Sequence, residues 1–151
     1  MTKLICVGKI KEKYLKEAIN EYQKRLSKYT KLDIVELKDI TYDDIDKVKK
    51  EEGENILKNI KNTDNVIILD INGQELTSVE LAKKIENLEQ QNSDLTFIIG
   101  GSYGLSEEVK QRANYSLSFS KLTFPHQLFR VIFLEQLYRT YKIRNNESYH
   151  K

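Results

Sequence analysis

Thr96-Phe97-Ile98-Ile99-Gly100-Gly101-Ser102-Tyr103-Gly104-Leu105 carries the most information about the fold. Leu95–Ile99 is apolar almost without interruption and then breaks into glycines. A short continuous apolar run reads as a strand covered on both faces, the pattern of a parallel sheet sandwiched by helices. Val66-Ile67-Ile68-Leu69-Asp70-Ile71 is a second run of the same kind. The glycine pair has two readings. It is either a tight strand-to-helix turn, or a place where a missing β-carbon lets a ligand reach the backbone. In an open α/β sheet, ligands bind in the loops after the strands, so the second reading carries weight if other loops converge there.

Working outward, strands alternate with helical patterns. Leu4–Gly8 reads as a first strand. Tyr14, Leu15, Ala18, Ile19, Tyr22 and Leu26 recur at helical spacing. Leu32–Leu37 is strand-like, and a second helix is predicted from Asp43 to Ile60 with Thr41 as its cap. Gly53 inside that helix costs about 1 kcal/mol relative to Ala. Asn72-Gly73 is predicted to turn the chain, and Thr77-Ser78-Val79-Glu80 has capping-box spacing before a third helix. Ser106 is placed as the cap of a short helix reaching Ala113, followed by a strand at Leu117–Ser120. Pro125 suits the first position of a last helix that ends near Ile143. This order predicts an α/β fold in one domain over residues 1–151, with a mostly parallel sheet flanked by helices.

Composition narrows the class. Hydrophobic residues make up 39% and charged residues 32% of 151, with one Pro, which suits a packed core and excludes a disordered chain. No stretch approaches the ~18 apolar residues of a membrane span. The start, Met1-Thr2-Lys3, is charged too early for a signal peptide, and the single Cys6 lies within a strand, so a buried inert thiol in a reducing cytoplasm is expected. Net charge is only +2. Residues 121–151 nevertheless hold six cations against Glu135 and Glu147, a local +4, so the remainder sums to −2. That surplus reads equally as a solvated helix face or as an edge that meets a polyanion.

The glycines at 100, 101 and 104 do not spell G-x-G-x-x-G, no Walker lysine follows, and Gly8 stands alone after the first strand. A nicotinamide-dependent enzyme is therefore disfavoured. No Cys/His cluster or His-Glu-x-x-His suggests a metal, and no Ser-His-Asp set is recognisable. His126 reads as a polar helix start. The last helix is apolar nearly all round from Leu128 to Tyr141, which predicts a subunit interface ahead of a central core helix, and Glu135 and Arg139 are spaced to pair. Arg130 interrupts that apolar run and requires a carboxylate, a phosphate or solvent.

At Ile99-Gly100-Gly101-Ser102-Tyr103-Gly104-Leu105, Leu117-Ser118-Phe119-Ser120-Lys121-Leu122-Thr123-Phe124-Pro125-His126, Glu135-Gln136-Leu137-Tyr138-Arg139 and Tyr149-His150-Lys151, the chain resembles the RlmH family of SPOUT-class RNA methyltransferases. Val7-Gly8-Lys9-Ile10-Lys11 fits as well, and the resemblance spans essentially the whole length. It implies an α/β fold with a deep trefoil knot at the C-terminal end, S-adenosylmethionine as methyl donor, and a homodimer. The implied substrate is N3 of a pseudouridine in helix 69 of 23S ribosomal RNA, within the assembled ribosome. Cofactor contacts are implied at Leu69, Gly100, Phe119, Ser120, Lys121, Leu122, Thr123 and Phe124. Tyr149 and His150 match the family's terminal pair, implicated in substrate handling, with neither metal nor membrane involved. On this reading His150 is the candidate base for the imide proton, and Arg130, Arg139, Lys142 and Lys151 meet RNA phosphates. The competing reading is a non-catalytic, ribosome-associated RNA-binding protein whose glycine loop is only a turn.

Overall fold

The computed structural model describes residues 1–151. Five strands, β1 (Thr2–Val7), β2 (Leu32–Leu37), β3 (Asn65–Glu75), β4 (Leu95–Ile99) and β5 (Tyr115–Ser118), form one sheet in the order β2-β1-β4-β3-β5. Every pairing is parallel. Five helices alternate with them: α1 (Lys13–Leu26), α2 (Ile45–Leu57), α3 (Ser78–Gln91), α4 (Glu107–Arg112) and α5 (His126–Arg144). Because all strands run one way, their carboxyl ends share one edge of the sheet, where each following loop begins.

Strand side chains alternate between two covered faces, which is why the central runs are apolar throughout. Leu4, Cys6, Ile67, Phe97 and Ile99 pack with apolar residues of α1, α3 and α5. Ile5, Val7, Val66, Ile68 and Ile98 face the other way, toward Ile56 of α2 and Val109 of α4. Cys6 is fully buried, and that burial pushes its thiol up to about 12, so it is inert as expected.

Local signals hold where they are strong. Thr77 forms a complete capping box with Glu80, and Ser106 caps α4 by accepting from the Val109 N–H. The second helix differs from expectation. Its cap is Asp44, not Thr41, and it spans Ile45–Leu57; the Asp44 carboxylate accepts from the N–H groups of Asp46 and Lys47. Gly53 is explained by packing, since a Cβ there would run into Ser106 Oγ of the α4 cap.

The expectation of a chain reversal at Asn72-Gly73 is also corrected. β3 continues to Glu75, but its register against β5 jumps: Leu69 pairs with Leu117, and so does Gln74. Residues 70–73 are thus extruded as an irregular segment. A Cβ on Gly73 would lie 2.8 Å from the Leu117 backbone, so glycine is needed there for two chains to pass closely. β5 ends at Ser118, two residues earlier than predicted, which releases Phe119 and Ser120 into the loop before α5.

α5 lies against α1 and α3. Phe133, Leu134, Leu137 and Tyr141 are buried, while Leu128 is exposed and Val131 and Ile132 are half-buried. No helix is long and apolar enough to cross a membrane.

Candidate active site

A cavity of about 270 Å³ opens at the carboxyl edge of the sheet, over β3, β4 and β5. The end of β3 and the extruded segment supply Leu69, Asp70 and Ile71. The turn after β4 supplies Ile99, Gly100, Gly101, Ser102, Gly104 and Leu105. The loop after β5 supplies Ser118, Phe119, Ser120, Leu122, Thr123 and Phe124, and the start of α5 adds His126 and Phe129. Seven of the eight residues assigned to the cofactor therefore line one cavity; Lys121 is exposed and is not part of its wall.

Each wall has a local cause. Gly104 takes φ +86°, and its N–H donates to the Gly101 carbonyl at 3.1 Å, closing the turn. A Cβ at Gly100 would come within 2.8 Å of Leu105 Cδ2. One at Gly101 would come within 2.9 Å of Glu52 Oε1 and 3.2 Å of Val7 Cγ1. The turn is thus pressed onto the protein behind it. Ser118 Oγ donates to the Ser120 carbonyl at 3.1 Å, and the Leu122 N–H donates to Ser120 Oγ at 2.9 Å, which shapes the second loop. Phe119 stands edge-on to Phe129, centroids 5.1 Å apart, and Phe124 stacks on the same ring at 5.9 Å.

Sequence reasoning missed Asp70, Ile71 and His126. The first two were hidden by the reading of a regular strand followed by a turn. His126 sits directly after the proline that opens α5, at the sheet edge where ligands bind, and that position was the available signal. It does not cap the helix: Pro125 holds the N-cap place, with no side-chain hydrogen bond.

The terminal pair lies elsewhere. The Tyr149 hydroxyl donates to Glu135 Oε2 at 2.7 Å, and its ring packs edge-on to Tyr138. Burial first, and then the bond to Glu135, push the Tyr149 phenol up to about 12, so it stays a proton donor. Arg139 Nη1 lies 3.1 Å from His150 Nδ1. Arginine only donates, so Nδ1 accepts and neutral His150 carries its proton on Nε2. Phe129, at the cavity, and Arg139, at the tail, are ten positions apart on α5, or about 15 Å along its axis. No residue of the tail lines this chain's own cavity.

The proposed phosphate contacts are largely committed within the chain. Arg130 is 1% exposed: Nη1 donates to Glu36 Oε2 at 2.6 Å and Nη2 to the Gly8 carbonyl at 3.0 Å. It is a structural arginine, and the expectation that it faces RNA is corrected, because its guanidinium is enclosed by β1, β2 and α5. Arg139 pairs with Glu135 at 2.7 Å, and Lys142 with Glu147 at 3.1 Å. The Glu135 bond raises the Arg139 pKa and the Glu147 bond raises that of Lys142, so both stay charged. Lys151 is exposed. No group of three or more His, Cys, Asp or Glu is arranged to hold a metal.

A parallel sheet with a three-loop cavity at its carboxyl edge, floored by apolar side chains and faced by backbone, suits a nucleoside-bearing cofactor. The class is a SPOUT methyltransferase: the family described as "Predicted SPOUT methyltransferase" matches residues 1–150, and the chain belongs to it. Its relatives include Ribosomal RNA large subunit methyltransferase H 1 of Clostridium perfringens (strain SM101 / Type A), 55% identical over 155 residues, covering 98% of both chains. Proteins named Ribosomal RNA large subunit methyltransferase H from Clostridium tetani and from Clostridium botulinum (strain Alaska E43 / Type E3) are 56% and 57% identical, with the same coverage.

Proposed function

We propose that this chain is an S-adenosylmethionine-dependent methyltransferase of the large-subunit ribosomal RNA, acting on N3 of a pseudouridine in helix 69 of 23S rRNA in the assembled ribosome. The observation that carries the reading is the convergence of Leu69, Gly100 and the 119–124 loop on one cavity, in a chain 55% identical to a protein named as a ribosomal RNA large subunit methyltransferase. The reading extends to one domain, a deep trefoil knot formed by the last elements, a homodimer, and work in the cytoplasm where ribosomes are found.

The cavity fits the donor. Leu69, Ile99, Leu105, Leu117 and Phe129 offer an apolar floor to an adenine ring. The turn at Gly100 and the loop at Thr123 and Phe124 bring backbone to the cavity wall, where it can meet a ligand's polar edge. When bound, S-adenosylmethionine supplies an electrophilic methyl on a sulfonium. The chain's own task is to hold donor and nucleobase in line, because alignment alone can contribute several powers of ten, roughly 7–11 kcal/mol. The wall loops bind and orient, and the apolar floor excludes water.

The imide N3–H has to lose its proton, and His150 is our candidate to receive it. Held by Arg139, His150 presents Nε2–H, which suits a nucleobase carbonyl. To act as a base, its Nδ1 lone pair has to be released from Arg139. A tail that lines no part of its own cavity, with Tyr149 and His150 held about 9 and 15 Å along α5 from Phe129, is suited to serve a partner's cavity, and we assign Tyr149 and His150 that role. His150→Ala is expected to keep S-adenosylmethionine affinity within about threefold by calorimetry and to lower methyl transfer to unmodified ribosomes by about 10²-fold or more. Unchanged turnover would remove the tail from the mechanism. Failure of the wild-type protein to bind S-adenosylmethionine at micromolar levels would favour the non-catalytic RNA-binding reading.

A further inference from the structure

We propose that the loop joining β1 to α1, with exposed Lys9 and Lys11, is the surface that meets the phosphates of the RNA substrate, and that the buried Arg130–Glu36 pair holds it in shape. The inference rests on the RNA-methyltransferase reading above and names where the RNA backbone docks.

Of the six cations in residues 121–151, four are paired within the chain, and only Lys121 and Lys151 stay exposed and unpaired. Arg130, Arg139, Lys142 and Arg144 each have a carboxylate within 3.1 Å. Lys9 and Lys11 are exposed and take part in none of the ion pairs. With Lys13 against Glu12, three cations minus one anion leave the segment +2. Tyr14, next in sequence, is 67% exposed, an aromatic face on which an unstacked base can rest.

The backbone carrying these lysines is pinned. Ile10, between them, is 7% exposed, and its N–H donates to Glu36 Oε2 at 3.1 Å. The same oxygen accepts from Arg130 Nη1, while Arg130 Nη2 holds the Gly8 carbonyl. One buried guanidinium on α5 thereby ties β2 and the loop together. A loop ordered before binding loses less entropy when it docks.

Its position matches the cavity. β1 lies beside β4 in the sheet, and Val7 Cγ1 is within 3.2 Å of where a Cβ on Gly101 would be. Lys9 and Lys11 follow Val7 by two and four residues, so their Cα atoms lie at most about 7 and 14 Å beyond it. The loop that carries the two lysines therefore leaves the same carboxyl edge of the sheet as the turn that walls the cavity, one strand over.

The test is the Lys9→Ala/Lys11→Ala double variant, assayed for methyl transfer to ribosomes from cells lacking the modification. Its kcat and its S-adenosylmethionine affinity should stay within about twofold of wild type, while KM for ribosomes rises about tenfold and the log KM–log salt slope falls by about two. Lys31→Ala/Lys61→Ala, which removes the same charge at the opposite edge of the sheet, should leave both unchanged. Glu36→Gln keeps every lysine but loosens the strut, so KM should rise with the salt slope preserved. Unchanged KM and slope in the Lys9/Lys11 variant, or an equal rise in the Lys31/Lys61 control, would overturn the surface. An unchanged KM in Glu36→Gln would overturn the strut. Wild-type protein assayed in parallel separates the two levels: no methyl transfer by it would sink the enzymatic reading and this surface with it, whereas normal transfer with an unaffected double variant sinks the surface alone.

Discussion

Glu52 shows how one side chain behind the glycine turn shapes the site in front of it. It lies on α2, 5% exposed; Oε2 accepts from the Ile40 N–H at 3.2 Å, and Oε1 has no partner and faces Gly101. Burial first, and then the nearby Asp39 carboxylate, raise its pKa above the usual 4.5, against the lowering by the Ile40 N–H. A raised carboxyl pKa means the folded state holds the proton more tightly than the unfolded chain. Its contribution to stability is full below the unfolded value and is lost as pH rises through the folded one. Glu52→Gln, which mimics the protonated form, should therefore gain Tm relative to wild type as pH is raised from about 5 to about 8, and match it below that range. A difference in Tm that stays flat with pH would show that Glu52 is not a strained acid. In sequence, Glu52 was one charge among several in α2, and nothing local marked it as buried. The glycines it backs were visible, but the reason for them lay on another element.

At the scale of elements, α5 divides along its length. Its first turn closes the cavity with His126 and Phe129, its buried face is core, and the other side of its middle turns holds the tail through Glu135, Tyr138 and Arg139. The Glu135–Arg139 pair was legible as an i, i+4 spacing; that both residues also bind Tyr149 and His150 was not, because a polar chain end carries no periodicity. As a helix-surface ion pair it is worth only about 0.3–0.5 kcal/mol. Its larger consequence is to hold the tail. Glu135→Ala should raise amide exchange in residues 147–151 by about tenfold or more while moving Tm by no more than about 2 °C. Retained protection of the tail would show that Glu135 is not its anchor. β3 offers the converse case. Its apolar first half was plain in sequence, but its run past Gly73 depends on pairing with β5, which a single strand's pattern does not encode.

For the whole molecule, the separation of the cavity at the start of α5 from the tail packed on its middle turns bears on assembly. In a two-fold dimer each protomer could lend its tail to the other's cavity. Mixing a Gly100→Val protomer, whose turn would collide with Leu105, with a His150→Ala protomer should regenerate activity neither has alone. Random pairing makes half the dimers mixed, each with one complete site, so about a quarter of wild-type turnover is expected. No recovery would mean that each tail serves its own chain. By itself the sequence determined the order of strands and helices, the two-sided burial of β3 and β4, the capping box at Thr77, and the glycine turn after β4, because all of these are written in spacings of a few residues. Only the tertiary structure decided which loops meet, that Arg130 is enclosed, and that the tail rests on α5. A charged side chain's fate depends on what packs against it, and the groups that claim Arg130 lie 94 and 122 positions away in the chain.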